Sequence, residues 1–317
     1  MTMVTVAICT YNRAGNLPAL IRELRAQESP IPFGILVVNN NSTDGTEHVL
    51  ADLATEEGAP LRFVTEKNQG IVQARNRAIE ESLSSTYLAF IDDDELPAQG
   101  WLRAAVDSLE REEAECVGGE IRVKLPDSRR PAWLADEILP FLGEVKNGPH
   151  PFWIVDRTTP VWSGNIAYRT SLFQEGLRFD RRYNREGHVV GGGEDAKMFQ
   201  VLLAQEARIR YRPDMVIDHL VEDWRLRRGY FLRLHYAAGW KKGRWDAASY
   251  ERTVCGVPPF MVRQALQLLL QAVPKLIFSR PDALRQAMNG VHGIGMALGT
   301  FRRWLGGAGT NRVISPQ

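Results

Sequence analysis

Two short runs of carboxylates stand out in this sequence. Asp92-Asp93-Asp94, with Glu95 behind it, follows the apolar segment Tyr87–Ile91, and Glu194-Asp195 follows three glycines, Gly191 to Gly193. Adjacent carboxylates aimed at one point repel, and the usual remedies are a proton, an arginine or a divalent cation. Oxygen donors at this density suit Mg2+ or Mn2+, which complete their shell with water and substrate phosphates. The aspartate run is therefore a metal-bridged phosphate site or a solvated acidic turn, and its own residues leave both open. The glycines before Glu194 permit positive φ and close backbone approach. A favourable helix dipole explains one acid there better than it explains two. His219, after apolar Met215-Val216-Ile217, reads as a metal ligand or a structural histidine.

The surrounding elements place these residues. Val4–Cys9, Ile35–Val38, Leu61–Val64 and Tyr87–Ile91 read as strands, being β-rich and nearly continuous in apolar residues. Between them lie helical patterns, for example Leu17, Leu20, Ile21 and Leu24 at i, i+3, i+4 and i+7. Ser42 or Thr43 can cap the second helix. Strand and helix alternate four times, which predicts a parallel sheet with helices on both faces. Ligands then sit beyond the carboxyl ends of the strands. There the polar clusters Thr10–Arg13, Asn39–Asp44, Asn68–Gly70 and Asp92–Asp94 should crowd one rim. The first strand–helix turn, Cys9-Thr10-Tyr11-Asn12-Arg13-Ala14-Gly15, contains neither a G-x-G-x-x-G nor a G-x-x-x-x-G-K-[ST] pattern. A dehydrogenase and a P-loop NTPase are thereby disfavoured.

The 317 residues suffice for one large domain or a domain with an appendage. Three cysteines (Cys9, Cys116, Cys255) without a CxxC pair argue against a disulfide scaffold or zinc site and for a reducing compartment. Met1-Thr2-Met3-Val4 lacks the basic start and apolar run of a signal peptide. No segment approaches the roughly 20 apolar residues of a membrane span. From Pro126 to Pro160 the chain is irregular and rich in Pro, Trp and Phe, which suggests a wall or lid over an acceptor. Trp133, Phe152 and Trp153 there, and Trp162 just after it, can stack on a sugar or serve as scaffold.

Taken in order, these blocks resemble the family 2 glycosyltransferases of GT-A fold, over roughly Val4 to Trp224. The carriers are Cys9–Arg13, Val38–Thr46, Asn68-Gln69-Gly70 with Ala74-Arg75-Asn76, and Phe90–Asp94. Gly164-Asn165, Gly176 with Phe179-Asp180, and Gly193-Glu194-Asp195 follow. The resemblance implies a Rossmann-like, mostly parallel sheet flanked by helices, with a C-terminal helical region: 1–224 catalytic and 225–317 helical. It implies an inverting, metal-dependent transfer of one sugar from a nucleotide-diphosphate sugar to a hydroxyl of a polysaccharide, lipid-linked or other glycan acceptor. Thr10, Tyr11, Arg13 and Asn39 would hold base and ribose, with Asp44, Arg75, Asp92 and Asp93 also on the nucleotide side. Asp92 and Asp94 match the DxD motif and would hold Mg2+ or Mn2+ with His219. Asp195 would be the base, beside Glu194, and Trp162, Gly164 and Asn165 would face the acceptor. The donor expected is a UDP-sugar; relatives commonly carry aspartate where this chain has Asn39, which leaves dTDP and GDP open. The processive synthases' Q-x-x-R-W block is missing, which favours single addition.

The chain's net charge of +1 hides an asymmetry: seven basic residues from Phe260 onward face only Asp282, leaving +6 there and −5 before it. Apolar stretches over 260–306 beside that charge suggest contact with an anionic membrane, or a cap or homodimer partner. No nucleic-acid groove is expected. The location expected is cytoplasmic, or peripheral on the cytoplasmic face of a membrane. Two competing readings are a sugar nucleotidyltransferase, which needs a glycine-rich first loop with a lysine, and a non-catalytic sugar-nucleotide or glycan-binding protein.

Overall fold

Strand β1 (Val4–Thr10) is buried at all seven positions, as a strand covered on both faces must be. The computed structural model describes residues 3–126, 130–186, 190–277 and 282–307. It divides into two units, one of Met1–Arg129, Leu139–His188 and Glu194–Glu222, the other of Arg130–Ile138, Val189–Gly193 and Asp223–Gln317.

In the first unit, β1 is followed by α1 (Leu17–Arg25), β2 (Phe33–Asn39), α2 (Thr46–Leu53), β3 (Leu61–Thr65), α3 (Ile71–Ser82) and β4 (Tyr87–Ile91). These strands pair in parallel in the order β3-β2-β1-β4. Right-handed crossover helices require that direction and bring the strands' carboxyl ends to one rim. Then come β5 (Glu95–Pro97), α4 (Trp101–Glu110), β6 (Cys116–Lys124), β7 (Phe152–Ile154), β8 (Asn165–Arg169), α5 (Ser171–Gln174), α6 (Glu194–Ala204) and β9 (Ile209–Leu220). Here the sheet turns mixed. β8 runs antiparallel between β4 and β6, β9 is parallel to β6, and β5 and β7 pair antiparallel with β9. Strand–helix alternation revealed the first half; it carried no sign of β8 inserting beside β4.

The cap of α2 differs from expectation. Ser42 Oγ accepts instead from the Asn12 amide at 2.9 Å, and Asp44 Oδ1 takes the Thr46 N–H at 3.0 Å. The aromatic residues of the long irregular segment mostly pack as scaffold. Phe152 lies against Tyr211 with ring centroids 5.1 Å apart, and Trp153 sits under the guanidinium groups of Arg208 and Arg210.

The second unit carries α7 (Arg228–Lys241), continued by a π-helical turn over Lys242–Asp246, then α8 (Pro259–Ile277) and α9 (Ala283–Gly307). Pro274 does not interrupt α8, and the glycines of α9 do not break it. Those glycines are points of contact. A β-carbon on Gly239 or Gly243 would collide with the carbonyls of His292 or Met296, and one on Gly295 or Gly299 with those of Tyr236 or Trp240. Two G-x-x-x-G faces thus interlock backbone to backbone, and the packing gained offsets their weak helix propensity. Trp133 joins this unit by packing edge-on against Phe231.

Candidate active site

The chain leaves β4 in a tight turn, with the Glu95 amide donating to the Asp92 carbonyl at 3.2 Å. The turn splits the aspartate run between two arginines. Asp92 faces Arg75 of α3, whose Nη2 reaches Asp92 Oδ1 at 3.2 Å. The same guanidinium donates from Nη1 to Asp195 Oδ1 at 2.6 Å and Glu194 Oε1 at 3.1 Å. Asp93 and Asp94 face Arg13 instead, at 3.6 and 3.4 Å, and Arg13 also bonds Glu222 at 3.0 Å. Each arginine therefore gathers three carboxylates. Thr10 Oγ1 donates to Asp93 at 2.7 Å, tying the end of β1 to the turn.

Arg75 is 2% exposed. Burial works against its charge, but Asp195, Asp92 and Glu194 more than offset it and hold the group firmly protonated. Its guanidinium also lies over the Phe179 ring, 5.6 Å from the centroid, a favourable cation–π contact. Asn76 fixes that ring by bonding both the amide and the carbonyl of Phe179. Arg75 is thus taken up by carboxylates and a ring face.

Asp195 sits in the first turn of α6, just after Gly193 at φ +118°. Its Oδ1 accepts twice, from Arg75 and from Ser163 Oγ at 2.5 Å. Among the described residues its Oδ2 has no hydrogen-bond partner, and the side chain is 24% exposed. Burial, opposed by Arg75, pushes the carboxyl up to about 6. Glu194 is buried, with Oε2 left without a hydrogen-bond partner among the described residues.

Glu95 is a member of this cluster that no motif marked. It is buried, its Oε2 accepts the Asp92 amide at 2.9 Å, and a β-carbon on Gly164 would collide with its carboxyl group. Burial, then Asp92 and Asp94, raise it well above the usual carboxylate range. Burial and Asp94 likewise push Asp93 up to about 7, against Arg13 and Thr10. Ser163 was also missed; a lone serine before Gly164-Asn165 carries no sequence signal.

The other expected residues fall as follows. His219, at the end of β9, places Nε2 3.7 Å from Asp94 Oδ2. Among the described residues, no three His, Cys, Asp or Glu side chains converge as a metal cluster. Asn39 is buried and its Oδ1 accepts the Ser42 amide, while Asp44 is exposed and Tyr11 half-buried. Trp162 is half-buried. Asn165 has no exposed surface: its Oδ1 takes the Trp101 indole N–H, and its Nδ2 donates to the carbonyls of Glu120 and Met215. It ties β8 to α4, β6 and β9 and presents nothing to an acceptor. The four polar strand-end clusters do share one rim. Beyond Thr10–Asp93, Thr43 N–H donates to Asn12 Oδ1 at 2.7 Å, and Gly70 N–H to Asn40 Oδ1 at 2.7 Å.

A sheet of this order, with acids at the end of its fourth strand and at the start of α6, is the architecture of the GT-A glycosyltransferases. The comparisons agree. The mannosyltransferase PcManGT of Pyrobaculum calidifontis, solved with GDP-Man and Mn2+, superposes with a TM-score of 0.54 over 90% of this chain and 73% of that one, at 20% identity. In sequence, the family model for Glycosyl transferase family 2 matches residues 5–177. Glycosyltransferase AglE of Haloferax volcanii is 32% identical over 128 residues, 40% of this chain and 42% of that protein. The succinoglycan biosynthesis protein ExoM of Rhizobium meliloti is 22% identical over 244 residues, 76% of this chain and 74% of that protein. The chain belongs to glycosyl transferase family 2. The match spans less than half the length of AglE.

Proposed function

We propose that this chain moves one sugar, with inversion, from a nucleotide-diphosphate sugar to a hydroxyl of a glycan or lipid-linked acceptor. The observation that carries the reading is the state of Asp195. Two donors hold its Oδ1, which orients the carboxylate and leaves Oδ2 to take a proton. With its carboxyl raised to about 6, it is ionised near neutral pH yet more basic than an ordinary aspartate. In this reading Oδ2 accepts the proton of the acceptor hydroxyl as that oxygen attacks the anomeric carbon. Attack opposite the departing diphosphate inverts the centre. Arg75 bonds both Asp195 and Asp92, so the base is tied to the sugar side of the donor site.

The donor set beside the turn suits a divalent cation completed by substrate phosphates. Asp94 and His219 supply one carboxylate and one imidazole side by side, and Mg2+ or Mn2+ commonly takes one or two protein ligands there. The cation, when bound, would offset charge on the leaving diphosphate. Asp92 is turned toward Arg75 and is assigned to the donor's sugar side, so Asp94 with His219, and not Asp92 with Asp94, is our metal pair. Arg13 would hold the diphosphate side of Asp93 and Asp94. Thr10, Tyr11 and Asn39 would stand at the nucleotide end of the rim, Thr10 and Asn39 from below its surface.

ExoM's name and PcManGT's bound GDP-Man favour a sugar-nucleotide donor and a growing glycan acceptor, without naming either here. A panel of UDP-, dTDP- and GDP-sugars, with and without Mn2+, tests the reading. Thermal stabilisation by one donor, with slow release of its nucleoside diphosphate, is the expected result. No stabilisation by any donor, with or without metal, would refute it.

A further inference from the structure

The helical unit exposes an apolar face that the transfer chemistry does not use. On α8, Val262, Leu266, Leu270, Val273 and Ile277 are all exposed, Leu270 at 71% and Ile277 at 72%. Spaced i, i+4, i+8, i+11 and i+15, they occupy about 80° of the helix surface. That arc adjoins the buried stripe of Met261, Ala265 and Ala272, while Gln264, Gln267 and Gln271 take the far side. At the end of α9, Phe301, Trp304 and Leu305 are also exposed, beside exposed Arg302.

Charge selects the occupant. Neither α8 nor α9 contains an Asp or Glu, while Arg263, Lys275, Arg285, Arg302 and Arg303 lie on them. Asp282, between the helices, pairs with Lys275. Arg280 and Arg312 add to this charge in the sequence and lie outside the described residues. A second copy of this chain would bring like charge against like. An anionic bilayer offers hydrocarbon and negative charge together. Among the described residues no helix is long and apolar enough to cross a membrane, so such a helix lies in the interface and does not span it.

We propose that α8 seats its Val262–Ile277 arc in the headgroup boundary of an anionic bilayer, with the surrounding arginines on lipid phosphates. The proposal does not depend on the transferase reading, and its test reads binding, not turnover. The full chain is sedimented with vesicles of phosphatidylglycerol and phosphatidylcholine, and with phosphatidylcholine alone. It is expected to pellet with the anionic vesicles, by roughly tenfold or more over neutral ones, and less as salt rises. Leu266→Glu with Leu270→Glu, both at exposed positions, should abolish pelleting and leave the melting temperature and the elution volume unchanged. A chain that stays in solution with both vesicles, binds both equally, or pellets despite the double substitution overturns the proposal. A wild-type dimer that the double variant converts to monomers, without vesicle binding, overturns it in favour of an interface between copies.

Discussion

Arg75 donates from Nη1 to Oδ1 of Asp195 at 2.6 Å, across 120 residues of sequence. The bond does two things at once. It occupies the oxygen that Ser163 also holds, so Oδ2 is the atom left to act, and it links the start of α6 to Asp92 through the other guanidinium nitrogen.

Asp195→Asn should lower kcat by roughly 10²- to 10⁴-fold, the usual contribution of a general base. Donor affinity should stay near wild type, because the substitution leaves the rim at β1 to β4 untouched. Calorimetric titration of the donor beside steady-state kinetics separates the two effects. Normal turnover by this variant would remove Asp195 from the base role.

The pH dependence follows from the same group. With the Asp195 carboxyl raised to about 6, kcat/KM should fall on the acid side of about pH 6. Ser163→Ala removes a hydrogen bond that favours the ionised form, so the acid limb should move to higher pH. Stability runs the other way from activity. A carboxyl raised in the folded state stabilises the fold fully below its unfolded value of about 4, and that contribution is lost as pH rises through about 6. The melting temperature of wild type relative to Asp195→Asn should therefore decline between pH 4.5 and 7. A flat difference would argue against the raised value.

Arg75→Met leaves buried Glu194 and the partly exposed Asp92 and Asp195 without their shared cation. Removing one partner of a buried ion pair costs roughly 3–5 kcal/mol, and urea unfolding should show a loss of that order. Wild-type stability in this variant would mean that the carboxylates are solvated without it.

His219→Ala should raise the Mn2+ concentration for half-maximal activity by roughly 10- to 100-fold or more, by analogy with the loss of groups that support a metal. Stripping the metal with a chelator and titrating it back measures the shift. An unchanged requirement would leave His219 as a structural neighbour of Asp94.

Asn165→Ala distinguishes scaffold from acceptor contact. It leaves the Trp101 indole N–H and two backbone carbonyls without their partner in the core. Each orphaned group costs roughly 1–3 kcal/mol, so the loss should appear in unfolding. A variant of normal stability with a raised acceptor KM would return Asn165 to the acceptor side.

Much of the first unit was legible from residue order. β1 to β4 and their helices follow from continuous apolar runs alternating with 3.6-residue periodicity, and the two acid runs mark the candidate site because charge is costly at buried strand and helix ends. Mixed pairing beyond β4 was not legible. β8 joins β4 through Ile91–Asn165 pairing, and nothing local to either segment specifies that contact. The glycines of α9 show the same limit: taken alone they weaken a helix, and only facing Gly239 of α7 and Gly243 of the turn after it make them points of close contact.

The sequence by itself determined the family, the polar rim and the identities of the two acid runs, since these depend on residue type and order. Only the tertiary structure decided which acids work together. Asp92, Asp93 and Asp94 are chemically identical neighbours, and their division between Arg75 and Arg13 depends on the direction each carboxylate takes from one turn. Coulombic interactions fall off with distance in space, not along the chain. Asp195 therefore owes its free oxygen to residues 32 and 120 positions away, and its raised carboxyl to burial, which those two partners oppose.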